Sequence, residues 1–152
     1  MEKAFSTLHS LKTIQFINVV ASELISMEEM LSYCYNLVNA TFINFEAPKV
    51  RTLTKMFDNC YNLINIKLDG ILENINVSNV ETMEGMFNMC QNMQNFTLEN
   101  ITFLNLTNMK YLFNEAYFQN LIFKNLFFPN LLSMTPLITQ TYQNYIREYL
   151  CS

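Results

Sequence analysis

Apolar residues return along this chain at a near-constant distance. The phrase "MFDNCYNLINIKL" (Met56–Leu68) comes back as "MFNMCQNMQNFTL" (Met86–Leu98). Around Cys34, Cys60 and Cys90 the positions four before are Met30, Met56 and Met86, followed by Leu31, Phe57 and Phe87. The same register reaches Ala4-Phe5 with Leu8 upstream and Leu112-Phe113 with Ala116 downstream. Self-similarity at this period indicates stacked repeats, each too small to bury its own apolar face. A second block follows each copy: Leu11-x-x-Ile14-x-Phe16-x-x-Val19, then Leu37/Ala40/Phe42/Phe45, Leu63/Ile66/Leu68/Ile71, Met93/Phe96/Leu98/Ile101 and Phe118/Leu121/Phe123/Leu126. The alternating pair in each block predicts a short strand, with Ile66 and Leu68 inward and Lys67 outward. Two more apolar columns, Ala21/Ala47/Val77/Phe103/Phe128 and Leu24/Val50/Val80/Leu106/Leu131, complete the inward set.

Polar columns share the register. Asn18, Asn44, Gly70, Asn100 and Asn125 occupy one slot just past the strand. Asn and Gly tolerate positive φ, which predicts a left-handed turn there. Ser26, Thr52, Thr82, Asn108 and Ser133 occupy another, each followed by an apolar residue. These are good N-caps, and Ser26-x-x-Glu29 reads as a capping box. A short helix is therefore predicted from each cap to the cysteine slot, with Pro136 at the start of a terminal helix. Asn39, Asn65, Asn95 and Asn120 form a third column, read as a side-chain ladder.

The spacing L-x-x-L-x-L is that of a leucine-rich repeat. The expected fold is α/β, a leucine-rich-repeat-like solenoid of about five rungs, each a short strand plus a short helix. One repeat domain over 1–152 would hold rungs at about 1–26, 27–52, 53–82, 83–108 and 109–133, closed by a C-terminal helix at about 134–150. The stretches "NVETMEGMFNMCQNM" (Asn79–Met93), "TLTKMFDNCYNL" (Thr52–Leu63) and "SMEEMLSYCYNL" (Ser26–Leu37) resemble the BspA-type repeat, with Ala116 departing at the cysteine slot. That resemblance implies a surface or secreted module of bacterial or protist type, acting in adhesion and partner binding.

Composition narrows the function classes. The 152 residues are 51% hydrophobic and 14% charged, with a net charge of −4, which is no footprint for a nucleic-acid partner. No apolar run reaches the roughly 18 residues of a membrane span. The N-terminus lacks a compact apolar core, so no signal peptide is expected. Because the array opens mid-rung at Met1, a fragment of a longer array is a second expectation. Four cysteines, one histidine and two glycines leave no phosphate loop and no metal-ligand spacing. Cys34, Cys60 and Cys90 are read as core, Glu28-Glu29 as a solvated helix start, and His9 as no catalytic base. Neither enzyme activity nor a cofactor is expected. The sequons at Asn39, Asn76, Asn95, Asn100 and Asn105 could mark glycosylation, but Asn39 and Asn95 belong to the ladder column and chance in an Asn-rich chain accounts for the rest.

What remains is the outward strand face. Its columns are Gln15/Thr41/Lys67/Thr97/Ile122 and Ile17/Ile43/Asp69/Glu99/Lys124. In repeat arrays such a face is the usual binding surface. The expectation is a protein partner, with a glycan as the second class. The competing reading is a spacer with no ligand of its own.

Overall fold

The computed structural model describes residues 1–67 and 77–135. Among the described residues five strands appear in chain order: β1 (Thr13–Ile17), β2 (Asn39–Ile43), β3 (Asn65–Lys67), β4 (Met93–Glu99) and β5 (Phe118–Lys124). All pairing is parallel. One sheet runs β1-β2-β3 and the other β4-β5. The register sets Phe16 beside Phe42, Ala40 beside Ile66 and Phe96 beside Leu121. Isolated parallel bridges join Val20 to Glu46 and Thr102 to Phe127, and run Ser26–Thr52–Thr82–Asn108–Ser133. Each rung thus lies over the same positions of the next.

The strands form where β-branched and aromatic residues alternate with polar ones. In β4 the inward Met93, Phe96 and Leu98 are buried while Thr97 and Glu99 are exposed. Behind the strands, Met30, Phe57, Met86, Phe87 and Phe113 are fully covered. Rings repeat from rung to rung: Phe57 and Phe113 stack on Phe87 at 5.5 and 5.7 Å, and Phe103 stacks on Phe128 at 5.4 Å. Burying such side chains contributes about 1.5–3 kcal/mol each.

The expected α/β class, a leucine-rich-repeat solenoid with a helix in every rung, is overturned. Among the described residues there is no α-helix; one 3₁₀ turn covers Val77–Asn79. The rest is strand and irregular coil. The segment Leu53–Cys60 shows why. Its N–H groups alternate between two duties. Leu53, Lys55, Phe57 and Asn59 donate to Thr82, Glu84, Met86 and Asn88 of the next rung at 2.8–3.0 Å. Met56, Asp58 and Cys60 close tight turns on Leu53, Lys55 and Phe57 at 3.1–3.2 Å. Lys55 and Asn59 have φ of 52° and 59°, which no right-handed helix admits. An isolated helix of about eight residues is marginal in water, because one costly nucleus supports few bonds. The turn path satisfies the same donors and ties the rungs together.

The polar column read as helix caps has a related job. Ser26 Oγ, Thr52 Oγ1, Thr82 Oγ1 and Asn108 Oδ1 accept from the N–H two residues on, at 3.0–3.2 Å. These are Ser/Thr- and Asx-turns, an alternative the same side chains always offer the backbone. Glu29 closes no capping box; its carboxylate pairs with Lys3 at 3.2 Å. The terminal helix expected at about 134–150 lies, from residue 136 on, outside the described residues.

Candidate interaction face

The outward side chains of the strands are brought together in two halves. Over the first sheet, Gln15 stands opposite Thr41, and Thr41 opposite Lys67; Ile17 stands opposite Ile43. Over the second, Thr97 faces Ile122 and Glu99 faces Lys124. β4 reaches the first sheet through Gln94 N, which donates to Ile64 O at 3.3 Å. Asp69 lies outside the described residues, and Lys67 is placed by its backbone register.

The two halves differ chemically. Ile17, Ile43 and Ile122 are 50%, 44% and 48% exposed, so each leaves much of an apolar side chain in water. Single exposed apolar residues are ordinary, but Ile17 and Ile43 adjoin. On the other half Lys124 Nζ lies 4.0 Å from Glu99 Oε2. That pair is half exposed and adds little to stability.

Amide ladders hold the rim of this face. Asn44 Nδ2 donates to Asn18 Oδ1 at 2.8 Å, Asn125 Nδ2 to Asn100 Oδ1 at 2.8 Å, and Asn120 Nδ2 to Asn95 Oδ1 at 2.7 Å. Asn18, Asn44, Asn100 and Asn125 have φ of 50–57°, so β1, β2, β4 and β5 each run into a left-handed residue; Gly70 of the same column lies outside the described residues. Of the sequons, Asn95 and Asn100 accept within these ladders, Asn105 Nδ2 donates to Ser78 O at 2.7 Å, and Asn76 lies outside the described residues.

The chemistry-bearing residues lie elsewhere. Cys34, Cys60 and Cys90 are free and buried. Their Sγ–H groups donate to Phe5 O, Leu31 O and Phe57 O of the preceding rung at 3.1–3.2 Å. Burial pushes all three thiols above the ordinary 9.0, Cys60 and Cys90 furthest, so they stay protonated at neutral pH. Ala116 takes the same slot without a thiol. His9 is exposed, with its ring stacked on Tyr35 at 4.6 Å, and Tyr35 stacks on Tyr61 at 5.2 Å. The open hollow beside His9 is lined by Thr7, Leu8, Ser10 and Leu11. Among the described residues no three His, Cys, Asp or Glu converge as a metal ion requires, and no helix is long and apolar enough to cross a membrane.

Two features escaped the sequence reading. One is the ring column His9–Tyr35–Tyr61, visible in hindsight one residue after each cysteine slot. The other is the polar column two residues before that slot, Ser32, Asp58, Asn88 and Asn114.

Comparison with known proteins places the chain by family. The family model described as "Mycoplasma protein of unknown function, DUF285" matches residues 1–126, and the chain belongs to that family. No curated protein and no solved structure matches it.

Proposed function

We propose that this family member is a non-catalytic binding module that engages a protein partner through its strand face. The observation that carries the reading is the pair of exposed isoleucines, Ile17 and Ile43, set in register on one sheet, together with the charged pair Glu99–Lys124 on the other. Apolar anchors beside a polar, charged margin are what protein interfaces present. The rim of amide ladders supports the reading, since a preorganised surface loses less entropy on binding. The resemblance of the Met-Phe-x-x-Cys phrases to BspA-type repeats adds adhesion at a cell surface as the setting.

The test compares the native chain with Ile43→Ala and with Glu99→Ala/Lys124→Ala as bait, in pull-down from cells and on a glycan array. Loss of one defined partner with an unchanged melting temperature supports the reading. Binding to glycans alone would move the partner class. Identical capture by all three baits would remove the strand face as the binding surface, and capture by none favours the spacer, a rung stack with no ligand of its own.

A further inference from the structure

Beneath the turn segments runs a row of polar side chains that the interaction face does not use. Asp58 is 3% exposed, one of two buried polar residues among the described residues. Its Oδ1 accepts from Asn88 Nδ2 at 2.7 Å, and Asn88 Oδ1 accepts from Asn114 Nδ2 at 2.8 Å. The row crosses three rungs with one polarity. A carboxylate offers acceptors only, so it makes Asn88 turn its NH₂ downward. Asn88 then presents its oxygen upward, and Asn114 must answer with its own NH₂. One charge thereby orients two amides.

We propose that Asp58 is the titratable end of this ladder, and that its protonation, relayed through Asn88 to Asn114, tightens the stack on mild acidification.

The groups around the carboxyl are few. On its own turn are Lys55, whose charge favours ionisation, Asn59, which hydrogen-bonds the carboxylate, and the Cys60 thiol. From the preceding rung come Glu29, whose charge opposes ionisation, and buried Ser32, whose hydroxyl is already spent on Glu29 O at 3.0 Å. From the next rung come Asn88 and the Cys90 thiol. Burial outweighs the rest and raises the Asp58 carboxyl above its ordinary 3.8. A folded-state pKa above the unfolded one means that the folded state holds the proton more tightly. Stability from this group therefore rises as pH falls through the folded value, is complete below about 3.8, and is lost as pH rises. The effect is read as a difference between variants, which isolates the Asp58 carboxyl. A protonated carboxyl is also a donor, which frees Asn88 to re-orient.

The experiment follows side-chain NH₂ signals of the full chain by ¹H–¹⁵N NMR between pH 3 and 8, beside thermal melts of the native chain and Asp58→Asn. Asn88 and Asn114 should move together with one midpoint above 3.8. Asn79, whose Nδ2 donates to Pro48 O at 3.0 Å, should stay still. In Asp58→Asn the shared titration should vanish. Its melting temperature should exceed the native value at pH 7 by a few degrees, with the gap closing toward pH 4. Still signals from Asn88 and Asn114 in the native chain would overturn the proposal. So would a titration that persists in the variant, or a gap that does not change with pH. If Asp58→Asn fails to fold, the native titration alone decides.

Discussion

Gly85 and Lys55 occupy one slot in successive rungs, both with left-handed backbone, at φ of 59° and 52°. An L side chain in that region costs roughly 1–2 kcal/mol, and glycine avoids it. Glycine also loses about 0.5–1 kcal/mol more backbone entropy on folding. Lys55→Gly should therefore be neutral to stabilising, by up to about 1.5 kcal/mol from the difference of those two terms. For a chain of this size each kcal/mol is an increase of roughly 2–4 °C in Tm. Lys55 is exposed, so its side chain takes little packing with it. The reverse change meets strain. A Cβ on Gly85 would sit 3.3 Å from Lys55 Cγ, the middle of a flexible side chain that can give way. The left-handed φ still charges Gly85→Ala about 1–2 kcal/mol, less roughly 0.5–1 kcal/mol for the stiffer unfolded chain. Had this slot been helical, as the caps suggested, the signs would invert: glycine costs about 1 kcal/mol in a helix interior and alanine gains it. Thermal denaturation followed by far-ultraviolet circular dichroism reads both variants on one scale. A fall in Tm for Lys55→Gly together with a rise for Gly85→Ala would refute the turn path.

Other expectations concern the core. Phe87→Ala should cost about 3–5 kcal/mol in denaturant titration, because its ring stacks on Phe57 and Phe113 and meets Phe96 edge-on at 5.2 Å; a loss no larger than that of exposed Ile122→Ala would sink this packing. Iodoacetamide at pH 8 should leave Cys34, Cys60 and Cys90 unlabelled in the native protein and label all three in urea, as read by peptide mass spectrometry; native labelling at Cys60 would mean the column is open. The same thiols should make stability decline above pH 9, since the unfolded chain can ionise at the ordinary 9.0 while the buried thiols cannot; this is read from Tm against pH, and a flat profile between pH 8 and 10.5 would count against it.

The strand register was legible because a strand has no tolerance for slippage: moving one residue would turn Phe16, Phe42 and Phe96 to water and Gln15, Thr41 and Thr97 to the core. That one constraint placed Ile17 beside Ile43 and Glu99 beside Lys124 before any coordinates. The helix was misread for a reason the residues make plain. Leu53, Met56, Phe57 and Cys60 stand at i, i+3, i+4 and i+7, the spacing of one helical face. Three overlapping four-residue turns produce the same spacing and bury the same four side chains. The Ser and Thr ahead of them serve either structure. The discriminating signal was weak but present. A helix with that buried face would turn Asp58 and Asn88 toward solvent, where neighbouring copies have no reason to agree. Yet Ser32, Asp58, Asn88 and Asn114 are all short and hydrogen-bonding, each directly after a fully buried apolar residue. A column that stays polar and small in the middle of an apolar phrase is one whose members meet each other. In the stack Asn88 and Asn114 do so, at 2.8 Å, with the Asp58 carboxylate at the end of their row.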